Sequence, residues 1–399
     1  MNTTSAGLEK KRLQIGIIPL VDAAPIIVAR DKGFFERHGL HVDISVEASW
    51  ASIRDKVVAG MLDGAQMLAP MPLAATLGVD GIGTPMLTAL SLNLNGNSIA
   101  VSEGVYRAMR LTRREPVSAG RALKALLEHD RIDGRKPRVF AHVFPFSTHH
   151  YELRYWLAAS GIDPDRDLRL EVVPPQLVVQ HLRDGRIDGF CAGAPWGAVA
   201  ELAGVGQRIV NTHQIWNNSP EKVFGVTREW ADAHPRTHRA LVAALIEACR
   251  WLDEAEHRPE AAQLLIDAGA LDAPPATIRT ALDMPVPGDP FFGPGLVFYR
   301  NAATFPWVSH AIWFIRQMQR WGQVAESVDA AAVAAEVYRA DIYRDAAGPL
   351  GIPLPDTDHK DEGVHAQDWS LSCSGGTLAM GSDRFFDDAV FTLGGGQPA

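Results

Sequence analysis

The side chains of this sequence that could do chemistry are scattered along the chain. Lys222 stands in SPEKVFGV, His142 in the apolar run RVFAHVF, His149 and His150 side by side in STHHYELRYW, and Trp50 in EASWASIRDK. A lysine there either neutralises an anion or sits in water, as most lysines do. A lone histidine on an apolar strand is a satisfied core residue or a ligand group. His149 and His150 point about 100° apart on a helix, so they form no joint chelate and read as helix surface or as support behind a ligand. Trp50 follows Ser49 at a helix start. Its indole N–H, a donor only, either packs in the core or adds to a helix end that favours negative charge. Asn95 and Gly96 in LNGN read as an Asn-Gly turn, with Gly96 allowing close backbone approach. Pro195 and Trp196 in GAPW end the strand GFCAG. No GxSxG, HExxH or Walker signature is present. The three cysteines, Cys191, Cys249 and Cys373, share no metal-ligand spacing. No catalytic centre, cofactor or metal is expected.

The elements that must position these residues alternate. LQIGIIPL (13–20), HVDISVE (41–47), GAQML (64–68), TALSLNL (88–94) and SIAVS (98–102) read as strands. Segments 24–39 and 49–60 read as helices between them, ended by Gly39 and Gly60. RVFAHVF (138–144), LRLEVV (168–173), DGFCAG (188–193) and QRIVNTHQI (207–215) form a second strand set, with helices over 118–134 and 147–161. Alternation of this kind predicts βαβ units and parallel sheets. From about residue 228 the pattern is helical, clearest over 236–255, 311–322 and 329–348, while 271–308 reads as ordered loop and the Gly-rich end as a flexible tail.

The chain has 399 residues, enough for two large lobes. It is 47% hydrophobic and 21% charged, and 38 basic against 47 acidic residues leave a net charge of −9. An acidic chain lacks the basic footprint of direct nucleic-acid binding. Sparse, odd cysteines fit a reducing compartment. No window approaches 18 apolar residues, so no membrane partner is expected. The basic pair near the N-terminus precedes an apolar run of only about eight residues, with no cleavage-site pattern, early cysteine or twin arginine. A cytoplasmic location is the expectation.

Several stretches carry a resemblance: GIIPLVDAAPIIVARDKGFFERHGL, EASWASIRDKVVAGMLDGAQMLAPMPLA, LNGNSIAV, FAHVFPFSTHHYELRYWLAASGIDPD, VVPP, GAPW and IWNNSPEKVFGVTREW. In collinear order over most of residues 13–348, they resemble the nitrate- and bicarbonate-binding proteins of ABC transporters, of the NrtA and CmpA type. The resemblance implies an α/β, two-lobed, periplasmic-binding-protein-like fold of type II, with a hinge and a ligand cleft between lobes. After a disordered arm over 1–12, lobe I would take 13–99 plus 221–399, and lobe II 100–220.

The resemblance also implies the site. Trp50, His142, Pro195 and Trp196 match ligand-contacting positions, and Asn95, with Gly96, stands where relatives have a glutamine one methylene longer. Lys222 matches the discriminating position: nitrate binders carry lysine there and bicarbonate binders an acid. Bicarbonate has a hydroxyl to donate to a carboxylate; nitrate has no proton to offer and needs a countercharge. Combined with the expected location, the resemblance points to cytoplasmic nitrate/nitrite sensors of the NasS type. Its implied partner is an RNA-binding antiterminator (NasT-like), sequestered without ligand and released by ligand-driven lobe closure to regulate nitrate assimilation. The alternatives are an exported nitrate- or bicarbonate-binding component of an ABC transporter and, from another class, a pyrimidine-synthesising enzyme of similar fold with a lysine Schiff base.

Overall fold

The structure, a computed structural model, describes residues 7–282 and 295–393. Two five-stranded sheets organise it. The first uses β1 (Arg12–Ile17), β2 (His41–Val46), β3 (Gly64–Leu68) and β4 (Met86–Leu94). The chain then crosses to the second sheet, β5 (Asn97–Ser102), β6 (Val139–His142), β7 (Arg169–Val172), β8 (Gly189–Gly193) and β9 (Gly206–Asn211), and returns with β10 (Pro220–Thr227). The strand orders are β2-β1-β3-β10-β4 and β7-β6-β8-β5-β9. In each sheet the strand made after a crossover runs antiparallel to its neighbours: β10 against β3 and β4, β5 against β8 and β9. The two crossovers, 94–97 and 211–220, are the connections between the lobes.

Long all-apolar strands need cover on both faces. All nine residues of β4 are buried. The helix Pro235–Asp253 covers the first sheet with Leu241, Val242, Leu245, Ile246, Cys249 and Leu252, one stripe at helical spacing. Helices over 308–320, 330–337 and 340–347 continue the cover. No helix among the described residues is long and apolar enough to cross a membrane.

Local differences from expectation have local causes. The helix expected over 24–39 is two, Ala24–Asp31 and Phe34–Arg37, because Gly33 between them is left-handed at φ 71°. The strand expected to run to 215 stops at Asn211, whose side chain caps a short helix Thr212–Ile215 in a reciprocal box with Gln214. The helix expected over 329–348 is likewise two, 330–337 and 340–347. Within 271–308, expected as loop, Pro275–Leu282 is helical; residues 283–294 lie outside the described residues, as do 1–6 and the Gly-rich end 394–399. Residues 9–10, expected in a disordered arm, are held: Glu9 accepts the Thr237 backbone N–H at 2.9 Å, and Lys10 pairs with Asp63 at 2.6 Å.

The C-terminal segment carries an unforeseen hairpin, β11 (Trp369–Cys373) and β12 (Gly376–Met380), and then straps the return crossover. Phe385 stacks on Trp216 at 4.9 Å, the Phe386 N–H donates to the Ile215 carbonyl at 2.9 Å, and the Trp216 indole donates to Glu362. Asn95, Asn218 and Asn301 all take left-handed backbones (φ 57–61°), and the Asn95 and Asn301 amides both donate to Asn218 Oδ1.

Candidate anion site

Lys222 has no solvent exposure at all. Strand β10 is irregular around it, with pairing shifts between Pro220 and Gly225, and Glu221 and Lys222 are both buried. The ammonium meets two carboxylates: Asp22 Oδ2 at 2.7 Å and Glu221 Oε1 in a shorter contact. It also lies 5.5 Å from the centre of the Trp50 ring. Burial works against the lysine's charge, but Asp22 and Glu221 outweigh it and hold the pKa above normal. With both carboxylates ionised the triad is net −1.

Each carboxylate is anchored from a different lobe. Asp22 lies in the single turn Val21–Ala23 after β1 and accepts the Gln66 amide at 2.6 Å, from β3. Glu221 accepts the Asn97 amide at 2.5 Å, from β5 in the second lobe. Burial pushes the Asp22 carboxyl up, against the pull of Lys222 and Gln66. His149, in the helix Thr148–Ala159, completes the contact from the second lobe: Nδ1 is 3.5 Å from Glu221 Oε1, and neither ring nitrogen has a hydrogen-bond partner. Burial first, then the Lys222 charge, holds its pKa well below normal, so the ring is neutral and carries one N–H. On the same helix, burial pushes the Glu152 carboxyl well above its ordinary range.

The lobes touch across this cluster. The Val21 N–H donates to the Ala194 carbonyl at 3.1 Å, and the Gln176 amide to the Ala48 carbonyl at 2.6 Å. At the end of β8, Gly193 leaves a small space: a Cβ there would lie 3.4 Å from Asn97 Oδ1, 3.5 Å from Asp22 Oδ2 and 3.6 Å from Leu20 Cδ2. Asn97 Oδ1 has no partner of its own.

The sequence-based candidates divide. Lys222 and Trp50 are in the cluster. Trp50 begins the helix Trp50–Val58 behind Ser49, whose hydroxyl accepts from the Ser52 N–H, and its indole N–H is buried without a partner. Trp196 is buried with its indole N–H unpartnered, in the turn that Pro195 opens. Gly96 contributes backbone: its carbonyl accepts the Ala194 N–H at 2.9 Å, and an added Cβ would strike Leu296 at 2.4 Å. Asn95 is not in the cluster; its amide goes to Asn218 at 3.4 Å, and the amide beside the carboxylates is that of Asn97, two residues on. His142 has both nitrogens engaged, Nδ1 with the Phe144 carbonyl at 3.0 Å and Nε2 with His150 Nδ1 at 3.2 Å. The helix-surface reading of His149 and His150 fails, since both are buried and nearly all of that helix packs between the lobes.

Asp22, Glu221, Asn97 and Gly193 are the positions that sequence reasoning passed over, and His149, read there as helix surface or as support behind a ligand, stands in the cluster itself. Two signals were available. Asp22 is an acid inside a long apolar run, and Glu221 directly precedes the lysine.

Comparison with known proteins agrees with this architecture. The NMT1-like family model matches residues 6–266. The bicarbonate-binding protein CmpA of Synechococcus sp. is 34% identical, covering 88% of this chain and 82% of the relative. The crystal structure of the periplasmic nitrate-binding protein NrtA from Synechocystis PCC 6803 superposes with a TM-score of 0.83 at 30% identity, covering 96% of both chains. The nitrate import ATP-binding protein NrtC of Synechocystis sp. is 37% identical over 88% of this chain, and the chain spans about half of that relative's length (52%). CmpA and NrtA are solute-binding proteins, not enzymes. The chain belongs to the NMT1-like family and, within it, to the nitrate- and bicarbonate-binding proteins of the NrtA and CmpA type.

Proposed function

We propose that this protein binds a small trigonal oxyanion, nitrate or bicarbonate, between its lobes at the Lys222 cluster. The observation that carries the reading is a fully buried ammonium, with an unpartnered indole N–H and an unpartnered neutral imidazole beside it, where the two lobes meet. Buried donors without partners are costly, and a ligand oxygen is a natural acceptor for them. The lysine supports nitrate. Asp22 and Glu221 support bicarbonate as a second reading, because a carboxylate accepts from the hydroxyl that only bicarbonate has.

Lobe contact around the ligand would present a partner with a different surface in the bound and free states. The roles of CmpA, NrtA and NrtC favour a transport-linked partner. A cytoplasmic sensor that holds an RNA-binding antiterminator is the other proposal. Fractionation of the native protein separates them: recovery from the periplasm defeats the sensor, and cytosolic co-purification with an antiterminator defeats the exported component.

The binding test is calorimetry with nitrate, nitrite, bicarbonate and sulfate on wild type and Trp50→Phe. The expected result is binding of a nitrogen oxyanion or bicarbonate, weakened about tenfold by loss of one hydrogen bond in the variant. Absence of heat with every anion defeats the reading.

A further inference from the structure

Two acids on one buried lysine leave the site rich in acceptors, a mismatch that an oxyanion must meet. Asp22 and Glu221 both contact the Lys222 ammonium, and all three are buried. Nitrate and bicarbonate would each add one negative charge to this triad, but nitrate brings only acceptors, whereas bicarbonate has a hydroxyl to donate. The atoms facing the gap over Gly193 sharpen the problem. Asp22 Oδ2 and Asn97 Oδ1 are both acceptors, and the Asn97 orientation follows from its Nδ2 donating to Glu221. Two acceptors repel a nitrate oxygen.

We propose that Asp22 sets the proton requirement of the site: a trigonal anion with no hydrogen of its own binds only with one proton, taken from solvent by Asp22, whereas an anion bearing a hydroxyl donates its own hydrogen to that carboxylate. The balance is one anion plus one H⁺ into the site for nitrate, and one anion alone for bicarbonate. Protonation converts Asp22 Oδ2 from acceptor to donor and takes Asp22, Glu221 and Lys222 together from net −1 to zero before the anion adds its own charge. The proton goes to Asp22, whose Oδ2 borders the gap. This rests on the oxyanion reading above.

The other groups around Asp22 do not offer the proton a place. Gln66 on β3, Asn97 on β5 and Trp50 on the helix Trp50–Val58 do not titrate. On the helix Thr148–Ala159, burial and the Lys222 charge hold His149 well below its ordinary range, and burial pushes Glu152 well above its own. Cys191 on β8 is a buried thiol pushed well above its normal range. His142 on β6 is pushed down to about 4 by burial. Burial also raises Asp22 itself, the direction that proton uptake needs.

The test is titration calorimetry with nitrate and with bicarbonate, in metal-free buffers of different ionisation enthalpy at pH 7 and 8. Nitrate is expected to take up one proton per anion and to lose affinity about tenfold per pH unit. Bicarbonate is expected to show uptake near zero and little slope. In Asp22→Asn, nitrate binding loses both the uptake and the slope, and bicarbonate weakens at least tenfold. Nitrate binding by wild type without proton uptake overturns the proposal and leaves oxyanion binding standing. Bicarbonate binding with no nitrate binding even at pH 5.5 also overturns it. Silence of both anions in every buffer overturns the oxyanion reading as well. Should Asp22→Asn fail to fold, the wild-type proton count decides alone.

Discussion

His150 Nδ1 lies 3.2 Å from His142 Nε2, and that bond decides which histidine of this region is left for a ligand. His142 Nδ1 pairs with the Phe144 carbonyl, which is an acceptor only, so Nδ1 carries the proton and Nε2 accepts from His150. His142 therefore has no N–H left to give. His149, on the next helical position before His150, has both nitrogens open and sits beside Glu221.

The expected consequence is a split between two variants. His149→Ala should lower anion affinity about tenfold or more, with a stability loss limited to the cavity left by its buried ring, since no hydrogen bond of the free protein is lost. His142→Ala should cost about 1–3 kcal/mol of stability, because a buried His150 N–H loses its partner, while the Phe144 carbonyl keeps the Ser147 hydroxyl. Urea unfolding paired with calorimetry checks both. Equal affinity loss in the two variants would contradict the assignment.

Gly193 should tolerate a methyl group in the fold but not in the site. Its added Cβ would make only ordinary contacts, none under 3.4 Å, whereas at Gly225 the same atom would meet Met67 Sδ at 2.3 Å. Gly193→Ala is expected to melt within a few degrees of wild type and to lose anion binding. Gly225→Ala is expected to lose about 1–3 kcal/mol by overpacking. Thermal melts with and without nitrate or bicarbonate distinguish the cases.

Lys222→Met should be strongly destabilising. It leaves Asp22 and Glu221 buried near one another with no cation, a loss on the order of 3–5 kcal/mol. Adding Asp22→Asn to Lys222→Met should recover a large part of that loss while anion binding stays absent. Recovery of stability is the measurement, and a double variant no more stable than the single one would show that the three groups are not one unit.

His238 gives a pH prediction remote from the ligand. It lies buried in the helix Pro235–Asp253, edge-on to Trp230 at 5.8 Å, and burial pushes its pKa down to about 4. The unfolded chain then binds a proton that the folded chain refuses. Stability tied to this residue is fully present above the unfolded value of about 6.5 and is lost as pH falls toward 4. His238→Gln should destabilise at pH 7.5, and its deficit relative to wild type should shrink by about 2 kcal/mol at pH 5. Chemical unfolding of both proteins at the two pH values provides the check.

Much of the architecture is legible in residue order because it depends on near neighbours. Short apolar runs broken by Gly and separated by helical stripes spell two α/β lobes, and Ser49 before Trp50 marks a helix start that the Ser52 N–H confirms. Strand β10 was not legible, since Glu221 and Lys222 at its head interrupt any apolar run there. They are buried because Asp22, some two hundred positions earlier, and Asn97 and His149 from the other lobe meet them there. Asn95 and Asn97 are alike as letters. A left-handed backbone at Asn95 sends one amide to Asn218, and the start of β5 sends the other to Glu221. Local chemistry thus wrote the elements and the residue types of the site. Which donors meet which charges was settled only by strand register and lobe contact, because a charge leaves water only where the folded chain brings it a partner.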